Sequence, residues 1–324
     1  MKKISILVLE GCTPIAPIGA MEIMNKASVI YQQLSQSGKP FFITELVGTK
    51  RKRVKVSDSF SIDCHTTIDK ITQTDLILIP AIEFDVEEKI NRNKNVIPHI
   101  LRLHRKGTEV GSMCTGAFLL AATGLLKNKT ATTHWYTAPA FRTRFPDIKV
   151  MDEKIVIDDN GIYTCGGATS FLNLCLYLVE KFCGRETAVM TSKMLLLDFD
   201  KTHQSNYSMF IPQMTHADDA ILKAQKHIEN NNHAKISVDE LAKHSNLSKR
   251  NFIRRFKAST GNTPIEYIQR IIVEKSKRQL EHSDDTVGNI AFSLGYNDIH
   301  SFRKLFSRVT GMTPKTYRSK YKRR

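Results

Sequence analysis

Residues 237–267, SVDELAKHSNLSKRNFIRRFKASTGNTPIEY, and residues 286–317, TVGNIAFSLGYNDIHSFRKLFSRVTGMTPKTY, are two copies of one pattern. The copies align with an offset of 49 as far as Ser248, which pairs with Asn297, and with an offset of 50 from Phe252 onward. One residue is therefore inserted in the turn of the second copy. Because a solenoid needs three or more repeats to bury its faces, we interpret the pair as a duplicated supersecondary motif.

The first half of each copy predicts a short amphipathic helix. In the first copy Ser237 and Glu240 have the spacing of a capping box, which places a helix N-terminus at Ser237. Val238, Leu241 and Ala242 then follow the i, i+3, i+4 spacing of a buried helix face. A turn and a second helical pattern come next, so each copy is predicted to be a helix-turn-helix.

The second half of the first copy predicts a helix with an apolar face and a basic face. Phe252 and Phe256 lie on one side, whereas Arg250, Arg254 and Lys257 recur at i, i+4 and i+7 on the other. One basic stripe is typical of a solvated helix surface. The second copy carries a matching outer face on the equivalent helix, and a helix at this place fits the major groove of DNA as a recognition helix.

These two second helices are predicted to contact double-stranded DNA. Arg can bind guanine through two hydrogen bonds, and His or Ser can reach base edges. Lys249, Lys257 and Arg255 are better placed to neutralise phosphates. The residues predicted to bind DNA are Lys249, Arg250, Ile253, Arg254, Lys257, Ile299, His300, Ser301, Arg303 and Lys304.

A long helix is predicted between the two copies. Thr263 as N-cap, Pro264 at the first helical position and Glu266 at the third start the stretch PIEYIQRIIVEKSKRQLEH. At about 1.5 Å per residue such a helix spans about 27 Å, close to the roughly 34 Å between successive major-groove faces. One chain is therefore expected to read two adjacent grooves.

The second copy carries the most specific motif of the chain. The residues GYND…SFRKLFSRVTGMTPKTYR, within 295–318, closely resemble the signature of the AraC/XylS family. The resemblance implies a transcriptional regulator that binds promoter DNA, with RNA polymerase as a further candidate partner.

The totals of the chain favour two domains and a polyanionic partner. The length of 324 residues is about twice that of a typical domain, and 41% hydrophobic with 25% charged residues is typical of a globular protein. The formal net charge of +16 divides into +11 for residues 217–324 and +5 for residues 1–216. We therefore expect the C-terminal part to bind the polyanion.

Several classes of protein are excluded by patterns that the chain lacks. The opening MKKISILVLEG is interpreted as a first buried strand, because its apolar run ends at Glu10 and no small-residue cleavage site follows. No run approaches the roughly 20 apolar residues that span a bilayer, so no membrane association is expected. The six cysteines show no CxxC pair or zinc-ribbon spacing. We expect reduced thiols in a cytoplasmic protein, with no metal and no cofactor.

The first 200 residues predict an α/β domain. Strand-length apolar runs, ISILVL, FFITELV, LILIP and KIVID, alternate with helical patterns such as FLNLCLYLVEKF. This alternation favours a flavodoxin-like, mainly parallel sheet with helices on both faces, followed by an all-α C-terminal domain. Ligands of such sheets bind beyond the carboxyl ends of the strands.

The stretch VGSMCTGAF, residues 110–118, places Cys114 at such a strand end. GTEVGSM is interpreted as a strand, CTG as a sharp turn and AFLLAATGLL as the following helix. Because the N-terminus of a helix favours an anion and lowers the pKa of a thiol, this geometry would suit a thiolate.

This domain resembles the ThiJ/PfpI (class I glutamine amidotransferase-like) superfamily. The stretches CTGAFLLAATGLLKNKTATTHW and TCGGATSFLNLCLYLVEKFCGRETA carry the likeness over most of residues 1–200, and it is most similar to the domain of GlxA-like AraC-type regulators. The resemblance assigns Cys114 to the nucleophile of catalytic members and His134 to their later histidine. Thr115 stands where protease-like members have histidine, and Ala16 where related hydratases have aspartate.

These departures predict that the domain binds a ligand rather than catalysing a reaction. General base assistance contributes roughly 10²- to 10⁴-fold to rate, and neither the histidine after the cysteine nor the aspartate of the related hydratases is present to support it. The candidate effector-pocket residues are Cys114, Thr115, His134 and Trp135. The Trp135 ring could hold a cationic metabolite by cation–π attraction or could pack under the elbow. The resemblance implies that the effector is a small amino acid or a quaternary amine.

The predicted organisation is an effector-binding and dimerisation domain over 1–200, a polar linker over 201–217 and a DNA-binding domain over 218–324. The resemblance also implies a homodimer. Two alternatives stay open: a cysteine-dependent hydrolase or hydratase that carries a DNA-binding domain, and a thiol-based redox sensor.

Overall fold

The chain forms two compact units in the computed structural model, Met1–Gln204 and Ser205–Arg324. The structure describes residues 1–36, 38–83, 85–199, 202–231 and 236–322. The stretch predicted as a linker is divided between the units, with 202–204 in the first and 205–217 in the second, whereas Lys201 lies outside the described residues.

The first unit is built on one large sheet. The strands are β1 (Lys2–Val8), β2 (Phe42–Gly48), β3 (Arg53–Lys55), β4 (Ser61–Asp63), β5 (Thr66–Thr67), β6 (Leu76–Ile79), β7 (Glu109–Met113), β8 (Thr130–Ala131), β9 (Lys149–Val150), β10 (Val156–Asp159) and β11 (Ile162–Cys165). Seven of them form the order β10-β11-β7-β6-β1-β2-β5, while β3 pairs with β4 and β8 with β9. Every neighbouring pair in the large sheet is parallel except β10 with β11, which confirms the predicted mainly parallel sheet.

Helices connect these strands and bury their apolar faces against the sheet. They are α1 (Ile15–Ser35), α2 (Val86–Asn93), α3 (Ile97–His104), α4 (Gly116–Ala122), α5 (Ala138–Arg144), α6 (Phe171–Cys183) and α7 (Arg185–Met194), with 3-10 turns at Ile68–Lys70 and Lys94–Val96. The predicted strands ISILVL and LILIP are buried in β1 and β6, as expected of strands covered on both sides. Helix α4 is shorter than the stretch AFLLAATGLL predicted, because the chain turns at Gly124 with a φ of 82°.

The described residues of the second unit contain helices and no strands. They are α8 (Asp219–Asn230), α9 (Val238–His244), α10 (Lys249–Thr260), α11 (Pro264–His282), α12 (Val287–Ser293), α13 (Ile299–Thr310) and α14 (Pro314–Tyr321). Helix α11 has the bounds that the sequence predicted for the long connecting helix. Throughout the described part of the chain, no helix is long and apolar enough to cross a membrane.

The structure confirms the duplication and corrects one pairing in it. Helices α9 and α12 each have seven residues, and α10 and α13 each have twelve. The N-caps of α10 and α13 are Ser248 and Asp298, so Ser248 is equivalent to Asp298 and its predicted pairing with Asn297 is wrong. The inserted residue lies in the turn of the second copy, as predicted. Both helices end on a left-handed glycine, Gly261 or Gly311.

The core of the second unit repeats as its helices do. The Phe252, Phe256, Phe302 and Phe306 side chains are fully buried. The ring of Phe256 meets Tyr267 edge to face at 5.3 Å, and the ring of Phe306 meets Tyr317 in the same way at 5.5 Å. Each helix-turn-helix therefore rests on the same aromatic support, which fixes which face of α10 and of α13 points outward.

Candidate effector site and nucleic-acid interface

Cys114 lies in a tight elbow between β7 and α4. Its φ of 54° places a non-glycine residue in the left-handed region, and its amide N donates to the carbonyl O of Cys165 at 3.0 Å. A Cβ atom on Gly116 would lie 2.4 Å from the carbonyl oxygen of Pro80, so only glycine fits there. The predicted strand, turn and helix are thus confirmed, and the turn is as sharp as the sequence indicated.

The environment of the Cys114 thiol does not favour a thiolate. Burial raises its pKa to about 11, although hydrogen bonds from the backbone and side chain of Thr115 act in the opposite direction. The side chain is 5% exposed, and the following helix α4 has only seven residues. The expectation that this geometry suits a thiolate is therefore wrong, because burial raises the pKa of the thiol.

Thr115 has a structural task in the elbow. Its hydroxyl accepts a hydrogen bond from the Ile82 amide at 2.9 Å and donates one to the Ile82 carbonyl. The residue is 1% exposed. These two bonds tie the elbow to the loop after β6, so the hydroxyl that stands in place of a catalytic imidazole is already engaged on both its donor and acceptor sides.

His134 and Trp135 lie in a loop that touches the elbow. The hydroxyl of Thr133 donates to the Cys114 carbonyl at 3.0 Å, which brings this loop beside the cysteine. The Nδ1 atom of His134 accepts from the Tyr136 amide at 3.0 Å, and burial lowers the pKa of this histidine. The imidazole is therefore neutral at pH 7, and its ring centre lies 5.4 Å from that of Trp135.

Gln204 also lies at this candidate site and is not among the residues predicted from the sequence. Its carboxamide is buried and accepts from the amides of Trp135 at 3.2 Å and Gly167 at 3.1 Å. A Cβ atom added to Gly167 would lie 3.8 Å from both the His134 ring and Gln204 Oε1, so these groups share one small region. No pattern in the sequence marks Gln204, because it lies in a polar segment without periodicity.

The second unit presents all ten predicted DNA-binding residues on α10 and α13. Eight of their side chains are exposed, namely Lys249, Arg250, Arg254, Lys257, His300, Ser301, Arg303 and Lys304. Ile253 and Ile299 are half-buried. Neither helix contains an acidic residue, so the charged side chains within each helix are all basic.

Several of these side chains already have partners. Lys249 Nζ lies 2.9 Å from Asp239 Oδ2, and Arg254 Nη2 donates to Asn251 Oδ1 at 2.9 Å. The hydroxyl of Ser301 donates to the α13 N-cap residue Asp298. All of these contacts are exposed and are exchangeable for contacts with a ligand at low cost.

Arg255 differs from the residues around it on α10. Its guanidinium donates twice to Asp218, with distances of 2.9 and 2.6 Å, and Asp218 also caps α8 by accepting from the Ile221 amide. This bidentate pair joins α10 to α8. Arg255 thus has a partner inside the fold, and its expected contact with a phosphate stays a prediction.

Metal binding was not expected from the cysteine spacing. Within 1–36, 38–83, 85–199, 202–231 and 236–322, no three His, Cys, Asp or Glu side chains are grouped closely enough to hold a metal ion. Burial raises the pKa of the Cys175 thiol to about 12 and of the Cys12 thiol to about 12 as well, so these buried cysteines behave as small apolar side chains.

Two family models match the chain, one on each unit. Residues 2–181 match the DJ-1/PfpI family, and residues 241–320 match a helix-turn-helix domain. The first match covers more than half of the chain and includes the elbow at Cys114. The second includes α10, α11 and α13.

Individual proteins share this arrangement over most of the chain. The HTH-type transcriptional regulator GbdR of Pseudomonas aeruginosa is 22% identical over 318 residues, which are 98% of this chain and 84% of that protein. The HTH-type transcriptional regulator GlxA of Rhizobium meliloti is 28% identical over 224 residues, 67% of each chain. The fold of the first unit is also that of Drosophila melanogaster DJ-1beta, with a TM-score of 0.51, 17% identity, and coverage of 61% of this chain and 98% of that one. The chain therefore belongs to the DJ-1/PfpI family and joins its domain to an AraC-type helix-turn-helix domain, as the GlxA-like regulators do.

Proposed function

We propose that this protein is a transcriptional regulator that binds promoter DNA through α10 and α13. The observation that carries the proposal is the pair of equivalent helices with exposed basic faces, set on one repeated aromatic core. Helices of this kind enter the major groove, where their side chains contact base edges and the flanking phosphates. The relatives named as HTH-type transcriptional regulators support the same function.

The connecting helix α11 supports recognition of two grooves by one chain. It has 19 residues and therefore a length of about 28 Å, close to the roughly 34 Å that separate successive major-groove faces. Capping boxes at Ser237 and Thr263 fix the starts of α9 and α11, so the spacing of the two copies is set by well-defined helix ends.

Binding to the upstream region of the protein's own gene tests this function. Fluorescence anisotropy at physiological ionic strength should show tighter binding to that duplex than to a scrambled duplex, with an affinity that falls steeply as salt rises. Combined Arg254→Ala and Lys304→Ala changes should abolish the preference.

A matched control separates base recognition from total charge. Arg53→Ala with Lys127→Ala also removes two positive charges, in this case from exposed positions of the first unit. This double variant should keep the preference for the upstream duplex over the scrambled one. Equal affinity of the wild-type protein for both duplexes at every salt concentration would contradict the proposal.

We further propose that the first unit senses a small molecule at the Cys114 elbow and does not turn it over. The high pKa of Cys114, about 11, leaves almost no thiolate at neutral pH, and the Thr115 hydroxyl is engaged with Ile82. The neutral His134 beside the Trp135 ring offers an aromatic, uncharged surface that suits a cationic or zwitterionic ligand.

Thermal unfolding with added probes tests the sensing role. Glycine betaine, carnitine and arginine are the probes, and at least one should raise Tm, because a ligand that binds only the folded state stabilises it by mass action. Trp135→Ala should remove that shift, whereas Tyr136→Ala, an exposed neighbour, should keep it.

Alkylation kinetics test the two alternative functions of Cys114. Its reaction with iodoacetamide should be slow at pH 7, and the rate should rise about tenfold per pH unit until it levels off near pH 11, whereas a redox sensor or a cysteine hydrolase needs a reactive thiolate near neutral pH. Fast alkylation of Cys114 at pH 7, or hydrolysis of an amide or ester that Cys114→Ala abolishes, would favour those alternatives.

We also propose a cytoplasmic homodimer. Two chains would bring four helix-turn-helix units to paired half-sites, and symmetric dimers match symmetric sites on DNA. Sedimentation of the free protein and of its promoter complex measures the number of chains, and one chain per complex would contradict the proposal.

A further inference from the structure

The chain leaves the first unit along a well-bonded path. The Ile155 amide donates to the Thr202 carbonyl at 3.1 Å, and the Gln204 amide donates to the Glu153 carbonyl at 2.8 Å. Residues 202–204 therefore pair with the segment that leads into β10, and Gln204 is the last residue of the first unit. The backbone is thus held in place up to the boundary between the units.

The side chain of Gln204 penetrates the candidate effector site. Its Oε1 accepts from the Trp135 and Gly167 amides, and its Nε2 donates to the Thr133 carbonyl at 2.8 Å. The residue is 3% exposed, so these bonds are made away from water. A Cβ atom on Gly166 would lie 2.4 Å from Nε2, which shows how closely the loop wraps the carboxamide.

The second unit anchors the chain almost immediately afterwards. The Tyr321 hydroxyl donates to the Asn206 carbonyl at 3.0 Å, and Lys277 Nζ donates to the Ser208 carbonyl at 2.7 Å. A Cβ atom on Gly311 would lie 2.6 Å from Asn206 Oδ1, so Asn206 rests against the C-cap of α13. Along the chain, only Ser205 separates Gln204 from Asn206.

We propose that Gln204 is a positioning residue that couples the effector site to the recognition helix α13. The proposal rests on the proposed function, because it concerns the regulation of that same site. A ligand that displaces the Trp135 or Gly167 amide displaces the carboxamide bound to both. Because one intervening residue spans at most about 3.8 Å per Cα step, a displacement large enough to shift the Gln204 backbone is passed through Ser205 to Asn206, which lies against the C-cap of α13.

Coupling of this kind is reciprocal, which allows DNA to serve as the probe. If the effector site changes the DNA affinity of α13, DNA binding must change the free energy of the effector site by the same amount. The amides of Trp135 and Gly167 report that change directly, since their hydrogen exchange requires the bonds to Gln204 to open.

Hydrogen exchange of the full chain, with and without its upstream duplex, is the test. In the wild type, duplex binding should change exchange at 132–136 and 165–168 by about 5-fold or more, the lower end of usual coupling between linked sites. Gln204→Met, which keeps the length of the side chain and removes its hydrogen bonds, should bind the duplex without that change.

Two further variants separate coupling from a structural role. Thr164→Val removes the hydrogen bond that Thr164 Oγ1 accepts from the Thr132 amide, leaves Gln204, Ser205 and Asn206 unchanged, and should keep the duplex-dependent change. Insertion of Gly-Ser-Gly-Ser after Ser205 leaves every Gln204 bond in place and adds slack. It should retain wild-type exchange in the absence of the duplex and lose the response to the duplex.

The outcomes distinguish this proposal from the proposed function. A wild-type protein that binds its promoter with no change at 132–136 and 165–168, or an insertion variant that responds like the wild type, overturns the coupling alone. A wild-type protein that shows no preference for its promoter overturns the proposed function, and the coupling with it.

Discussion

The two helix-turn-helix copies share their buried positions and differ at their surfaces. Thr260 and Thr310 each donate a hydroxyl hydrogen bond at 2.8 Å to a phenylalanine carbonyl one turn earlier, and both α10 and α13 end on a left-handed glycine. Burial and capping therefore fix one scaffold twice. The outward positions are free of that constraint, so each copy can contact a different stretch of DNA on the same frame.

One surface difference lies where the two helices of each copy meet. In the first copy Lys249 Nζ pairs with Asp239 Oδ2 at 2.9 Å. The equivalent residues of the second copy are Ile299 and Gly288, and a Cβ atom on Gly288 would lie 3.2 Å from Ile299 Cδ1. The exposed ion pair of the first copy therefore has no equivalent in the second, where an isoleucine and a glycine occupy the two positions.

A second difference concerns how each copy is braced. Arg255 of α10 is bound to Asp218, whereas its equivalent on α13, Leu305, is 5% exposed and belongs to the apolar core. The first copy is therefore held to α8 by charge and the second to its neighbours by hydrophobic contact.

The largest expected effect tests the shared scaffold. Phe256→Ala and Phe306→Ala should each lower the free energy of unfolding of the second unit by about 3 to 5 kcal/mol, because each empties the same fully buried site. Hydrogen exchange of the α11 amides in the full chain measures both losses. A difference between the two variants larger than about 1.5 kcal/mol would break the equivalence of the copies.

Exchanging Arg255 and its equivalent Leu305 tests how each copy is held to its neighbouring helices. Leu305→Arg should cost on the order of 3 kcal/mol or more, because it buries a cation at a position that is apolar in the wild type. Arg255→Leu should keep the second unit folded. Circular dichroism in a urea titration measures both, and tolerance of Leu305→Arg would show that the two sites are interchangeable.

Single substitutions on the outer faces sharpen the comparison of DNA contacts. Arg254→Ala and Lys304→Ala should each cost about 1 to 3 kcal/mol of binding, and the loss should depend on a different base position for each variant. A panel of duplexes with one substituted base pair each, titrated against both variants, locates those positions. Loss at the same base pair for both variants would contradict separate recognition.

The outer faces also differ in charge at equivalent positions, and salt dependence detects this. Lys257 of α10 corresponds to Ser307 of α13. Lys257→Ala should reduce the slope of log affinity against log salt by about 0.9, the value for one phosphate contact, and should weaken binding to all sequences alike. Ser307→Ala should leave the slope unchanged, and an equal change for both variants would rule out the phosphate contact.

The smallest expected effect is a change in the pH dependence of stability. Hydrogen bonds from Arg255 hold the pKa of Asp218 below its usual 3.8. Above pH 3.8 the ionised carboxylate therefore stabilises the fold. This contribution to the free energy of unfolding disappears as the pH falls through the lowered pKa of Asp218. In Arg255→Leu the loss of Tm between pH 5 and pH 2 should be smaller than in the wild type. Arg278→Ala, which changes an exposed charge on α11, serves as the control.

Local patterns predicted much of the fold because local forces decide it. The bounds of α11 follow from Thr263, Pro264 and the periodicity of the stretch, and the structure confirms them. The Cys114 elbow follows from an apolar strand, small residues and a helix. In both places, residues that are close in the sequence are enough to predict the local structure.

Features that depend on distant parts of the chain were not predictable in this way. The high pKa of Cys114 reflects burial by the assembled sheet and loops, and the residues next to Cys114 in the sequence do not indicate how deeply it is buried. The ion pair of Arg255 was not predicted because its partner, Asp218, lies 37 residues away. Gln204 was assigned to a linker because its hydrogen bonds reach back about 70 residues to Thr133 and Trp135.

The unbroken helix α11 fixes the rotation of the second helix-turn-helix copy relative to the first about the α11 axis. Each residue added to a helix advances its far end by about 1.5 Å and turns it by about 100°. A single insertion within α11 would swing α12 and α13 around the helix axis, and α13 would then face a different side of the duplex. If α10 and α13 bind one duplex as proposed, such an insertion changes the direction of α13 in one large step, whereas exchange of exposed side chains on α10 and α13 leaves both helices in place.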